Sequence, residues 1–266
     1  VSAPAGIHAE TAGDGPAVVL VHAGICDSGM WDAQWRTLPG AHRVTRFDMR
    51  GFGRSPVPPG AYSHARDLLA VMDAAGISRA ALVGASMGGR VALEVALAAP
   101  DRVSALVLVG AGLPGHEWSA AVRAYWEAEE EAIERGDLAA AAEVNVRFWV
   151  DGPARRPEDV DPEVRRHAHA MQLRALELQV PAYEADGDLE EPLVPDAGDR
   201  LAEVAQPALV LVGEADQPDI HAIAGRLAAG LADARTATIP DAAHLPSMER
   251  PELFDRLLSG FLSRPA

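Results

Sequence analysis

The sequence predicts an α/β protein with a doubly wound, mostly parallel sheet and an inserted helical cap. Two observations carry this. Continuous apolar runs at 17–21, 105–109 and 208–212 have the texture of strands buried on both faces, and helical stretches alternate with them. From 113 to about 201 the alternation stops and only helical texture remains. The core is therefore expected over 1–112 and 202–266, and the cap over 113–201.

The elements follow in chain order. Residues 7–10 with the turn 12–16 read as an edge hairpin. The strand at 17–21 ends in His22-Ala23-Gly24-Ile25-Cys26, a loop that enters a helix. A strand at 43–47 runs into the glycine-bearing loop Asp48-Met49-Arg50-Gly51-Phe52-Gly53-Arg54-Ser55. Residues 63–75 form an amphipathic helix with Leu68, Leu69, Val71 and Met72 on its apolar side. In the cap region, helices are expected at 118–135, 138–148 and 163–179, with Trp118, Tyr125, Trp126, Phe148 and Trp149 among them. Strands at 208–212 and 236–239 and helices at 220–231 and 251–262 close the chain.

Between the run 80–83 and the helical run 91–97 lies Gly84-Ala85-Ser86-Met87-Gly88. In strand-to-helix context G-x-S-x-G is a nucleophile elbow; alone it could be a plain glycine turn. Side chains at Gly84 and Gly88 would collide with nearby backbone in so sharp a turn. The turn raises the Ser86 hydroxyl and sets it at a helix N-terminus, where negative charge is favoured. An activated serine needs a base, and the base needs an orienting acid. His244 lies just beyond the last strand. Beyond the preceding strand Glu214, Asp216 and Asp219 compete; Asp216 has the best spacing, and Asp219 is expected to cap a helix.

Composition excludes several chemistries. The net charge of −16 argues against nucleic acid and anionic membranes as partners. All 23 basic residues are arginine, which rules out a Schiff-base lysine, a pyridoxal phosphate enzyme and a P-loop lysine. A single cysteine, Cys26, permits no internal disulfide and no cysteine-rich metal site. No apolar stretch is long enough to span a membrane, and no leader is visible, so a cytoplasmic protein is expected. A small-molecule substrate is expected, and a homo-oligomer is left open.

Four motifs carry a resemblance: His22-Ala23-Gly24, the glycine loop 48–55, the elbow, and Gly213-Glu214-Ala215-Asp216 with His244-Leu245-Pro246-Ser247-Met248-Glu249-Arg250-Pro251. On these the chain resembles the α/β-hydrolase fold serine hydrolases, in the group of esterases, enol-lactone hydrolases and cofactor-free haloperoxidases. It departs from the family where His22-Ala23 replaces the usual His-Gly. The resemblance implies Asp216 as acid, His244 as base, and the N–H groups of Gly24 and Met87 as oxyanion donors. It implies no cofactor and no metal.

The substrate pocket is expected to use Ile25, Trp126, Trp149 and Leu245. His22, Asp48 and Arg50 are read as structural, Cys26 as a small buried filler, and His221 as a surface residue. His167 and His169 stand two apart on a helix and share no face for a metal. Arg155, Arg156, Arg165 and Arg166 read as solvated surface. The function expected is hydrolysis of a small carboxylic ester or lactone through an acyl-enzyme on Ser86. Carbon–carbon bond hydrolysis or perhydrolysis with the same triad is the alternative within enzymes. A non-catalytic binding protein on the same fold is the rival from another class.

Overall fold

A computed structural model describes residues 6–263. The ends of the expected core segments, residues 1–5 and 264–266, lie outside it. The strands are β1 (Ala9–Ala12), β2 (Ala17–Val21), β3 (Arg43–Phe47), β4 (Ala80–Ala85), β5 (Val103–Val109), β6 (Ala208–Gly213) and β7 (Ala234–Ile239). They form one sheet in the order β1-β3-β2-β4-β5-β6-β7. Only β1 runs antiparallel. The central strands β4 and β6 are buried at every position, which explains their unbroken apolar texture.

The expected hairpin at the N-terminus does not form. The strand starts two residues later than the sequence suggested, and β1 pairs with β3, not with β2. The cause is the turn between them. Gly13 and Gly15 have φ of 78° and 116° and press on the backbone of residues 39–42. The turn thus carries the chain over the start of β3, and β2 lands on the far side of that strand.

Helices cover both faces of the sheet. They are α1 (Asp32–Thr37), α2 (His64–Ala74), α3 (Met87–Ala98), α4 (Ala120–Glu134), α5 (Leu138–Asn145), α6 (Pro162–Asp186), α7 (Pro218–Gly230), α8 (Pro246–Glu249) and α9 (Pro251–Leu262). Buried residues of α2, α3 and α7 share one apolar cluster with β2 and β4; Phe254 and Leu258 of α9 join the cluster on the opposite face. No helix among the described residues is long and apolar enough to cross a membrane.

The chain leaves the sheet after β5 and returns at β6, and α4, α5 and α6 fill the interval. These helices close on one another around Ala132, Ala141, Ala142 and Leu176. Two details differ from the sequence reading. The helix expected at 138–148 stops at Asn145 and widens into a π-helical segment, Val146–Asp151. The helix expected to end at 179 continues through Pro181 to Asp186, where Gln179 bonds the Gly51 carbonyl at 3.0 Å. The insert also ties back to α3: buried Glu94 accepts the Leu193 N–H at 2.6 Å.

Candidate active site

Ser86 stands between β4 and α3 with φ 51° and ψ −115°, a conformation that costs an ordinary residue about 1–3 kcal/mol. Its neighbours enforce it. A Cβ on Gly84 would overlap the Gly88 carbonyl, one on Gly88 would overlap Val21 O, and one on Gly89 would sit 2.5 Å from Ala111 Cβ. The Ser86 N–H donates to Val109 O at 2.8 Å, and the Ser86 carbonyl accepts the Gly112 N–H at 3.0 Å. Ser86 itself is half-buried.

The same β5 exit reaches the second half of the site. Gly110, with φ 49°, lies against Asp216 and His244: a Cβ there would stand 3.2 Å from His244 Nδ1 and 3.3 Å from Asp216 Oδ2. Residues 110–112 therefore touch Ser86 on one side and the acid–histidine pair on the other. Asp216 and His244 are 3% and 2% exposed. His244 Nδ1 lies 3.0 Å and 3.1 Å from the two Asp216 oxygens. Asp216 Oδ1 also accepts the Gln217 N–H at 2.8 Å.

The competing acids are elsewhere. Glu214 is exposed. Asp219 is buried but is not a helix cap; Gln217 holds the N-cap position of α7. Asp219 instead accepts the Ser119 N–H at 2.8 Å and meets His116 Nε2 at 3.2 Å, fastening the start of the insert. Burial would raise its carboxyl pKa, but these bonds outweigh burial and hold it below the usual range.

His22 is structural. Its Nε2 accepts the Met49 N–H at 2.9 Å, which leaves Nδ1 to donate to Ala23 O at 2.8 Å. Burial lowers its pKa despite that carbonyl and Asp48, so the ring stays neutral. Asp48 accepts the N–H groups of Ser28 and Arg54, both at 2.9 Å, and Arg50 bonds Asp67 at 2.8 Å. These bonds fix the loops at 22–28 and 48–55. Gly24 faces Met87: a Cβ on Gly24 would lie 3.6 Å from the Met87 Cβ and Sδ.

Cys26 is fully buried, and burial pushes its thiol pKa well up, away from a nucleophilic thiolate. His221 is exposed. No group of three or more potential metal-ligating side chains occurs among the described residues.

Of the four residues expected at the pocket, Ile25, Leu245 and Trp149 lie in or against one apolar cluster, and Trp126 stands apart from it. The Trp149 ring lies 4.4 Å from the His244 ring, tilted by 34°. Trp126 is 43% exposed and stands edge-on to Trp118 at 5.8 Å. Ile25 is buried in the core cluster with Cys26 and Trp31. Leu245 has no exposed surface and packs in the same cluster as Phe254.

Two arginines read as solvated surface are not. Arg155 and Arg165 are 15% and 18% exposed and hold Glu249 and Asp151 respectively; Arg156 and Arg166 are exposed. Gly110 and Gln217 touch the acid–histidine pair, and Glu249 accepts the Ala243 N–H beside His244; sequence reasoning passed over all three. Only Glu249 had a signal, because it lies inside a motif that carried the resemblance.

A sequence profile of the α/β hydrolase fold matches residues 16–251. The chain is similar in structure to a thermophilic esterase from Thermogutta terrifontis, at 30% identity and TM-score 0.80 over 96% of this chain and 92% of that one. It is similar to the enol-lactonase from Burkholderia xenovorans LB400, at 27% identity and TM-score 0.79 over 97% and 96%. It is 27% identical to the 2-hydroxy-6-oxo-6-phenylhexa-2,4-dienoate hydrolase of Comamonas testosteroni over 96% of this chain and 91% of that protein. With the strained elbow and the buried carboxylate–imidazole pair, these likenesses make the protein a hydrolase that belongs to the α/β-hydrolase fold family.

Proposed function

We propose that the protein is a serine hydrolase acting on a small carboxylic ester or lactone, with Ser86, Asp216 and His244 as its triad. The observation that carries the reading is the His244–Asp216 pair, buried and bonded through Nδ1. That bond keeps the proton on Nδ1 and leaves Nε2 as the basic nitrogen. Ser86 Oγ attacks the substrate carbonyl carbon while Nε2 takes its proton. Asp216 stabilises the imidazolium. The N–H of Met87, first in α3 and without a helical acceptor, and the N–H of Gly24 receive the oxyanion. Collapse expels the alcohol, which takes the proton from Nε2. Water, deprotonated by Nε2, then attacks the acyl carbon, and the second tetrahedral intermediate collapses to the acid as Ser86 Oγ takes the proton back from Nε2.

The helical insert acts as a cap, with Trp149 as the wall nearest the base. Carbon–carbon bond hydrolysis is the second reading, favoured by the likeness to the Comamonas hydrolase. A fluorophosphonate probe followed by peptide mapping tests the nucleophile: Ser86 is expected to carry the label. Labelling elsewhere, or full activity in Ser86→Ala, overturns the triad. A panel of aryl esters, lactones and ring-cleavage diketones separates the two readings.

A further inference from the structure

The carboxyl end of the π-helical segment Val146–Asp151 has no helix ahead of it, because the chain turns at Gly152 with φ 74°. Carbonyls at such an end have no helical partner. Here all of the last four are bonded, and the donors converge. Phe148 O accepts Gln217 Nε2 at 2.7 Å, beside Asp216. Trp149 O accepts the His244 N–H at 3.3 Å. Val150 O and Asp151 O accept from Nη2 and Nε of Arg155 at 2.6 Å and 2.9 Å. A Cβ on Gly152 would overlap the Ala215 carbonyl, so the segment also presses on the acid loop directly.

The Arg155 guanidinium continues into the base loop. Its Nη2 bonds Glu249 Oε2 at 2.7 Å, and Nη1 reaches the Asp241 carbonyl at 3.2 Å. The other Glu249 oxygen accepts the N–H of Ala243, next to His244, at 2.9 Å. Asp241 has φ 53° and is, with Ser86, one of two non-glycine residues with positive φ among the described residues. The loop carrying His244 thus begins at a strained residue whose carbonyl is held by Arg155.

We infer that Arg155, acting through Glu249, is a positioning residue for His244. One planar fork joins the end of the π-helical segment to both sides of the base loop. It fixes where the imidazole stands relative to Ser86 and beneath Trp149. A lysine offers a point charge and cannot reproduce that fork. The role rests on reading His244 as the base.

The test uses Arg155→Lys, Glu249→Gln and the double variant, with kcat and KM measured on a neutral aryl ester. Active sites are counted by fluorophosphonate labelling run to completion, so that unfolded protein does not enter kcat. Arg165→Lys is the control: Arg165 bonds the same buried Asp151 at 2.7 Å but makes no bond to the base loop among the described residues. Each single variant is expected to lose roughly 10- to 100-fold in kcat per labelled site with KM little changed, as misplacement of a catalytic group does. The double variant is expected to be no worse than the singles, and Arg165→Lys to keep wild-type kcat. Unchanged kcat per site in Arg155→Lys overturns the inference. So does an equal loss in Arg165→Lys, which would mean general loosening of the insert. Full activity in His244→Ala overturns the underlying reading instead.

Discussion

The indole of Trp149 lies against the imidazole of His244, and the carbonyl of the same residue accepts the His244 N–H. Ring and backbone of one residue therefore both bear on the proposed base. The ring belongs to an aromatic group: Tyr125 stacks on Phe148 at 4.4 Å, and both stand edge-on to Trp149. The backbone bond does not use the side chain, so side-chain variants isolate the ring. Trp149→Ala is expected to lower kcat/KM on an aryl ester by about 10-fold or more, and Trp149→Phe to retain most of it. Equal activity in all three proteins would reduce the ring to packing alone.

Ser86 holds a backbone that glycine adopts without strain. Ser86→Ala and Ser86→Gly both lack the hydroxyl and should both lose roughly 10⁴-fold in kcat. They should differ in stability. The glycine variant is expected to exceed the alanine variant by on the order of 1 kcal/mol, because alanine keeps the strain. Urea midpoints measure this, and a less stable glycine variant would count against strain at the elbow.

Asp216→Asn and Asp219→Asn should fail in different ways. Asp216→Asn should cost roughly 10³- to 10⁴-fold in kcat by favouring the wrong histidine tautomer. Asp219→Asn should leave kcat nearly intact and lower the melting temperature, since it weakens the bonds to Ser119 and His116. The Asp219 carboxyl is held below its ordinary value, so its stabilisation is present above the unfolded pKa and fades as pH falls through the folded one. The stability gap between wild type and Asp219→Asn should therefore narrow below about pH 4. A gap that stays constant into that range would contradict the assignment.

His64 sets a second pH dependence of the same sign, over a higher pH window. Burial, aided by the charges of Arg90 and Arg50, pushes its pKa down to about 3. The unfolded chain binds a proton at about 6.5 that the native state refuses, so stability falls as pH drops below that value. The slope from this group approaches about 1.4 kcal/mol per pH unit until the native pKa is reached. Urea unfolding between pH 4 and 8 should show the decline, and His64→Gln should flatten it. An unchanged slope in the variant would place the dependence elsewhere.

Three arginines stand alone in apolar helical stretches of the insert, Arg123, Arg147 and Arg174, and a free one could hold a substrate carboxylate. Each is engaged: Arg123 with Trp118 O, Arg147 with Asp151, and Arg174 with Glu177 and Gly53 O. Neutral short- to medium-chain esters should therefore be turned over better than anionic analogues of equal length. The ratio of kcat/KM for a matched pair tests this. A preference for the anion that vanishes in one of the three alanine variants would favour the carbon–carbon reading.

Most of the frame was legible because it is written in local patterns. The apolar strands, the glycines around Ser86 and the positions of Asp216 and His244 just past β6 and β7 depend on spacing within a few residues. What escaped depends on where distant segments meet. β1 chose β3 because its turn packs on residues 39–42. Asp219 met Ser119 a hundred positions away, and Arg155 met Glu249 across 94. An arginine in a charged run looks solvated until its partner is known. The π-helical segment likewise draws on distant partners, since the Phe148 and Trp149 carbonyls are bonded by Gln217 and the His244 N–H.

The insert departs from β5 and returns on β6, and those two strands are hydrogen-bonded neighbours. The strands run parallel, so their pairing alone does not join the ends of the insert; Gly198 does, since a Cβ there would overlap the Pro114 carbonyl. Chain closure therefore places almost no demand on its length, because loop entropy grows only slowly with added residues. An insert from another hydrolase could be transplanted at this point without disturbing the sheet. Such a chimera would still have to supply a partner for Glu249 and carbonyls for Gln217 and the His244 N–H. Compatibility at those few atoms, more than size or sequence of the graft, would decide whether the recombined enzyme works.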